Sequence, residues 1–211
     1  MRSAIFSRQT LTSSTAVLLV FALVKLLIHF YTNAFEGYGI FRDELYYVAC
    51  SEHLSAGYVD QPPLSIFILA VSRMLFGQSI FAIRLLPAMA GAATVFMTGL
   101  MTRELGGGKF AQAIASIASI VSLIYLGYDS IYSMNSFDVL LWTWSAYVVI
   151  LLVKTGDKKF WLELGLILGL GLLNKISVLW LGFGLLVGVL LTLERRWLKT
   201  EYPYIAGVIT F

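Results

Sequence analysis

Six charged residues stand where chemistry could be done in a chain otherwise dominated by apolar side chains. The stretch FRDELYY, residues 41–47, holds the acidic pair Asp43-Glu44 next to Tyr46 and Tyr47; YVDQPPLS carries Asp60 and Gln61; YSMNSFDVLLW carries Asp138; Arg84 and Lys175 are basic groups in apolar surroundings. A carboxylate can take a proton from a hydroxyl while a nearby cation steadies a departing anion. Asp43, Glu44 and Asp138 are the candidates for the first task and Arg84 and Lys175 for the second, with Gln61 as a neutral hydrogen-bond donor to the same anion.

Each has a plainer reading as well. Asp43 falls at the start of a short helix suggested by Leu45, Val48, Ala49 and Glu52, where an aspartate caps free N–H groups and is held ionised by the helix dipole. Asp60 sits on a bend: Pro62 pushes Gln61 into extended backbone and Pro63 suits the first turn of a new helix, whose N-terminus is an anion site. Alternatively Asp60 is a solvated turn residue. Asp138 opens a span, where an ionisable group points into the bundle or a wet cavity, or else is a helix-start carboxylate at the interface. Arg84 and Lys175 stand near a membrane boundary and can snorkel. Lys25 and His29 share a helical face mid-span, which calls for a buried partner or snorkelling before catalysis. Tyr46 and Tyr47 fit an interfacial aromatic belt, or a platform for a sugar ring.

The elements that must position these groups are membrane spans. Of 211 residues, 59% are hydrophobic and 13% charged, and the mean hydropathy is +0.83; an average soluble domain has about 25% charged residues. The 15 Lys and Arg residues are scattered between apolar runs, which excludes a nucleic-acid stripe. Cys50 is the single cysteine, so no internal disulfide forms. The first apolar run, 15–31, is longer than a signal-peptide core and contains Lys25, so it reads as a retained helix. Six stretches approach the ~20 residues a bilayer requires: about 14–32, 80–102, 110–127, 137–153, 160–174 and 176–193. The last two split at Asn174-Lys175, and Gly165, Gly169, Gly171, Gly182, Gly184 and Gly188 suggest close helix packing.

Residues 64–76, LSIFILAVSRMLF, are too short to span and read as a surface-lying helix. With that segment on one leaflet, Arg2, Arg8 and the loops 103–109, 154–159 and 194–199 share one side and hold ten of the 15 basic residues. The positive-inside rule makes that side cytoplasmic. The 33–79 loop, loosened by Gly37 and Gly39, the 128–136 turn and the Asn174-Lys175 corner then face outward together. Gly106-Gly107-Gly108 lacks the Lys-Ser/Thr of a nucleotide phosphate loop.

The order of these features, carried by RDELYY, DQPPLSIFILAVSRMLFG, RLLPA, SFDVLLW and LLNKISVL, resembles the GT-C glycosyltransferases of the protein O-mannosyltransferase and lipid A aminoarabinose-transferase type. The resemblance implies an all-α, polytopic transmembrane bundle with amphipathic juxtamembrane helices in the first outer loop, and makes 1–211 the N-terminal part of a longer enzyme of the inner membrane. It implies a polyprenyl-phosphate-linked sugar as donor, a lipid, glycan or protein hydroxyl as acceptor on the extracytoplasmic face, contact with membrane lipid and none with nucleic acid. Asp43 takes the role of base, Glu44 is its motif partner and Asp138 the second acidic position. Where the lipid A enzymes have Glu-Lys-Pro-Pro this chain has Asp60-Gln61-Pro62-Pro63, so the resemblance leaves Asp60 as a carboxylate to bind a divalent metal or orient the acceptor, while the phosphate-binding lysine is replaced, with Lys175 or Arg84 to take its work. The rival class is a non-enzymatic transporter or scaffold using Lys25, Asp138 and Lys175 as structural pairs or a substrate path; it predicts an inverted repeat, and none is visible.

Overall fold

The computed structural model describes residues 8–35 and 39–211, with side chains from Ser14 onward. Arg2 and Gly37 lie outside the described residues, as does the side chain of Arg8. Among the described residues there are ten α-helices, one 3-10 helix and no strand. They are α1 (Arg8–Phe35), α2 (Arg42–Glu52), α3 (Leu64–Phe76), α4 (Ile80–Glu104), α5 (Lys109–Val121), α6 (Leu123–Ser130), α7 (Met134–Thr155), α8 (Lys159–Asn174), α9 (Val178–Leu191) and α10 (Tyr202–Thr210), with the 3-10 helix Leu193–Lys199 before the last.

Three helices, over 14–35, 80–104 and 134–155, are long and apolar enough to cross a membrane, and up to five spans result if each bent pair counts as one. The bent pairs are α5 with α6, at 58°, and α9 with the 3-10 helix, at 102°. The stretch expected as one helix over 110–127 is therefore broken: Ser122 adopts extended backbone, φ −60° and ψ 117°. The bend swings the end of α6 inward, where Asp129 meets Lys25. α8 has 16 residues, about 24 Å of helix.

With no water in the hydrocarbon layer, polar side chains inside the bundle must bond to the chain itself. In α4 the hydroxyls of Thr94, Thr98 and Thr102 each donate to the carbonyl one turn earlier. Glycine serves where backbones meet. A Cβ on Gly165 would lie 2.6 Å from the Ala206 carbonyl oxygen and one on Gly169 3.2 Å from that of Ile209, so α8 admits α10 at contact distance. Gly182, Gly184 and Gly188 of α9 have nothing within 4 Å. They line a cavity of about 620 Å³ between α7, α8, α9 and α10, because α9 leans away from the bundle where the sequence suggested close packing.

The two ends of the bundle differ. At one, Lys154 at the end of α7 holds Glu104 at the end of α4, Nζ to Oε2 2.9 Å, and Arg103 reaches Thr15 of α1. At the other end α2 and α3 pack over the start of α4 around Tyr47, Ile66, Leu69, Ile83 and Tyr132, all buried. α3 buries Ser65, Ile66, Leu69 and Ser72 and exposes Phe67, Val71, Met74 and Leu75. That exposed apolar stripe, at spacings of three and four, suits a helix lying against lipid.

Candidate active site

α2 begins at Arg42, so Asp43 and Glu44 both lie in its first turn. Adjacent residues on a helix point about 100° apart, and packing sends the two carboxylates in different directions. Glu44 is fully buried. Its Oε2 accepts the Phe41 N–H at 2.8 Å, which caps the helix start. Arg84 of α4 donates to both oxygens, Nε to Oε1 at 2.8 Å and Nη2 to Oε2 at 2.7 Å, and Tyr132 N–H adds 2.7 Å to Oε1. Arg84 also donates to the Gly39 carbonyl at 2.9 Å. A charged carboxylate can sit in so dry a place because its lone pairs are met by a bidentate cation and two backbone donors. The capping role read for Asp43 thus belongs to Glu44. Asp43 has a half-exposed side chain whose bond is to its neighbour, Arg42 Nε to Oδ1 3.1 Å.

The far end of α2 is held by Arg73, the one charged residue of the short apolar segment 64–76. Arg73 of α3 donates to the Val48 carbonyl at 3.2 Å, Ser51 Oγ at 2.6 Å, Glu52 Oε1 at 2.9 Å and Gln78 Oε1 at 2.9 Å. Cations at a helix C-terminus complement its dipole. α2 is thereby pinned at its start by Arg84 and at its end by Arg73, with Asp43 on the open face.

Tyr47, one turn after Asp43, is buried edge-on against Tyr132 at 5.5 Å and accepts the Met134 N–H at 3.1 Å. Burial, with the Asp43 charge adding to it, holds its hydroxyl above the ordinary tyrosine range. Tyr46 is 40% exposed and its hydroxyl is within electrostatic reach of Asp60. Of the two rings read as a platform, Tyr46 is the open one.

The third component comes from the turn before α7 and the corner between α8 and α9. Ser133 caps α7, so Asp138 stands in its second turn and is not a capping residue. Ser177 Oγ lies 3.1 Å from each Asp138 oxygen and Lys175 Nζ 3.6 Å from Oδ2. Lys175 donates to Asn135 Oδ1 at 2.8 Å, and Asn174 Nδ2 to the Met134 carbonyl at 3.0 Å. Met134 is therefore shared: its N–H bonds α2 through Tyr47 and its carbonyl bonds α8 through Asn174. Lys175, 30% exposed, keeps part of its surface open.

At the start of α3, Gln61 is buried with Nε2 unbonded, while its carbonyl accepts the Tyr58 N–H at 3.1 Å. Asp60 beside it is exposed. Among the described residues no group of three or more His, Cys, Asp or Glu side chains could hold a metal ion. The acids and bases singled out from the sequence thus gather at one end of the bundle in two sets, Asp43 with Glu44 and Arg84, and Asp138 with Lys175, bridged by Tyr47, Met134 and Asn174.

Lys25 and His29 are not at that end. They meet Asp129, Nζ to Oδ2 3.0 Å and Nε2 to Oδ2 4.0 Å, in the bundle interior. Asp129 lies within α6, not in the outer turn expected over 128–136. A fully buried lysine in a span is the signal that calls for such a partner.

Among the described residues the chain is all-helical with three to five candidate spans, the architecture of a multi-pass membrane protein. It belongs to the dolichyl-phosphate-mannose-protein mannosyltransferase family, whose model matches residues 60–211. The matched stretch contains Asp60, Arg84, Asp138 and Lys175, and it begins after Asp43 and Glu44. No curated protein matches the chain.

Proposed function

We propose that this chain is the part of a glycosyltransferase that carries the base and the phosphate contacts for moving a sugar from a polyprenyl-phosphate donor to a hydroxyl acceptor. The family supports a lipid-phosphate sugar donor. The observation that carries the assignment of the base is the division of labour in α2: Glu44 is consumed by Arg84 and by the helix cap, whereas Asp43, one residue earlier, is left half-exposed.

In this reading Asp43 accepts the proton of the acceptor hydroxyl as its oxygen bonds the anomeric carbon. The bond from that carbon to the phosphate oxygen breaks, and its electron pair leaves with the phosphate. One displacement without an enzyme nucleophile inverts the anomeric centre. The leaving phosphate requires positive charge. Arg84 is turned toward Glu44, so this task falls to Lys175, held by Asn135 and Asp138, with Gln61 Nε2 and the N-terminus of α3 as neutral donors. Asp138 orients Lys175, and Tyr46 offers a face to the sugar. The basic end of the bundle is the cytoplasmic one by the positive-inside rule, so transfer is extracytoplasmic.

The test is sugar transfer by a full-length homologue from a panel of polyprenyl-phosphate sugars. Asp43→Asn there abolishes transfer and leaves membrane expression intact. Full activity in that variant rejects the assignment.

A further inference from the structure

The buried pair of Lys25 and Asp129 lies inside the bundle, away from every group used above, yet it is coupled to them through very little chain. Asp129 is the penultimate residue of α6. Three residues later Tyr132 gives its N–H to Glu44 Oε1 at 2.7 Å and its hydroxyl to the Ser65 carbonyl at 2.5 Å. The intervening turn is braced rather than slack: Ser136 Oγ donates to the Tyr128 carbonyl at 2.8 Å, Ser130 Oγ to that of Leu126 at 2.6 Å, and Ser130 Oγ stands 3.4 Å from His29 Nδ1. The three residues from 129 to 132 span at most about 11 Å.

The interior is shaped for this pair. A Cβ on Gly91 of α4 would overlap the Asp129 carboxylate, so only glycine leaves the notch in which it sits. Lys25 is fully buried, with no route for its ammonium to snorkel to water. A buried ion pair adds little net stability over apolar packing, and its best attested use is to fix register. Register is what α6 lacks on its own, being eight residues long and separated from α5 by a 58° bend.

We infer that Lys25 and Asp129, seated in the Gly91 notch, are positioning residues: they set the height of the 131–133 turn and through Tyr132 hold α2 and α3 in place, so that a charge pair buried in the bundle governs how firmly the Asp43-bearing helix is docked. The inference concerns the docking of α2 and holds or fails independently of the reaction proposed for Asp43.

Cys50 is the only cysteine of the chain and lies half-buried on α2, its carbonyl accepting from the Tyr58 hydroxyl at 3.3 Å. Its alkylation by N-ethylmaleimide in detergent-purified protein therefore reads the opening of α2. Lys25→Met and Asp129→Asn each speed alkylation about tenfold in monodisperse protein through easier local opening. Wild-type rates in the single variants overturn the inference. Should the single variants not fold, Gly91→Ala keeps both charges and only displaces Asp129; it too accelerates Cys50, and a folded Gly91→Ala protein with the parent rate overturns the inference. Lys154→Ala, which breaks the Lys154–Glu104 contact at the opposite end, leaves Cys50 unchanged; acceleration there shows general loosening and equally overturns it.

Discussion

Arg84 and Glu44, forty residues apart in sequence, form a bidentate pair in which Nε meets Oε1 at 2.8 Å and Nη2 meets Oε2 at 2.7 Å, with both side chains removed from solvent. This pair is what turns an acidic dipeptide into two residues with different work. It draws Glu44 under α2 and, because the next residue back lies about 100° around the helix, turns Asp43 outward.

The pair predicts opposite consequences for neighbouring substitutions. Glu44→Gln removes the charge that Arg84 Nε and Nη2 meet at 2.8 and 2.7 Å and costs about 3–5 kcal/mol, read as a lowered midpoint in detergent unfolding. Asp43→Asn, on the open face, changes stability by no more than about 0.5 kcal/mol while abolishing transfer in the homologue assay. Equal destabilisation by both would refute the division of labour.

Lys175 is predicted to act on the donor. Lys175→Ala removes a charge-assisted contact of about 1.5–3 kcal/mol, which lowers kcat/KM for the lipid-phosphate sugar by roughly ten- to a hundredfold. Lys175→Arg keeps the charge and retains more activity. Steady-state kinetics over a donor series decides, and an Ala variant as active as the parent excludes the role.

Arg73 holds the last turn of α2 through Val48, Ser51 and Glu52. Arg73→Ala frees that turn, so amides of residues 48–53 exchange at least about tenfold faster while those at the middle of α4 do not. Hydrogen exchange with mass spectrometry distinguishes this local effect from global loosening.

Stability falls on the alkaline side because two buried tyrosines resist ionisation in the folded chain. Burial keeps the Tyr47 hydroxyl neutral above its ordinary range, and burial together with Tyr47 does the same more strongly for Tyr132. An unfolded tyrosine loses its proton near pH ~10. The stabilisation these rings contribute is thus complete below about pH 10 and declines as pH rises toward their higher folded values. Tyr47→Phe reduces the steepness of that decline, at the cost of about 1–3 kcal/mol at neutral pH for the Met134 N–H it leaves unmet. Unfolding midpoints from pH 8 to 11 give both quantities.

Orientation is tested by labelling. In a Cys50→Ala background, cysteines introduced at Asp43 and at Lys175 react with a membrane-impermeant maleimide from the outer face, and one at Asp157 does not. Residues 43 and 175 on opposite faces would remove the basis for a shared site.

Several of these features were legible in the residues alone. Apolar runs near membrane length, the basic loops between them and the ordered motifs RDELYY, DQPP, RLLPA, SFDVLLW and LLNKISVL point to a helical membrane protein of the family that the match over 60–211 shows. Hydropathy and loop chemistry are local properties, so a linear reading recovers them. The partners of the charges are not local. Nothing in the spacing of Asp43 and Glu44 says which faces inward, since either could cap α2; Arg84 and the Tyr132 N–H, arriving from α4 and the 131–133 turn, decide it. Nor does the sequence show that the apolar run after residue 109 breaks at Ser122, or that Asp129 turns back to neutralise Lys25 beside Gly91. A buried charge takes its role from whatever the fold brings within about 3–4 Å of it, and only the packed helices set that distance.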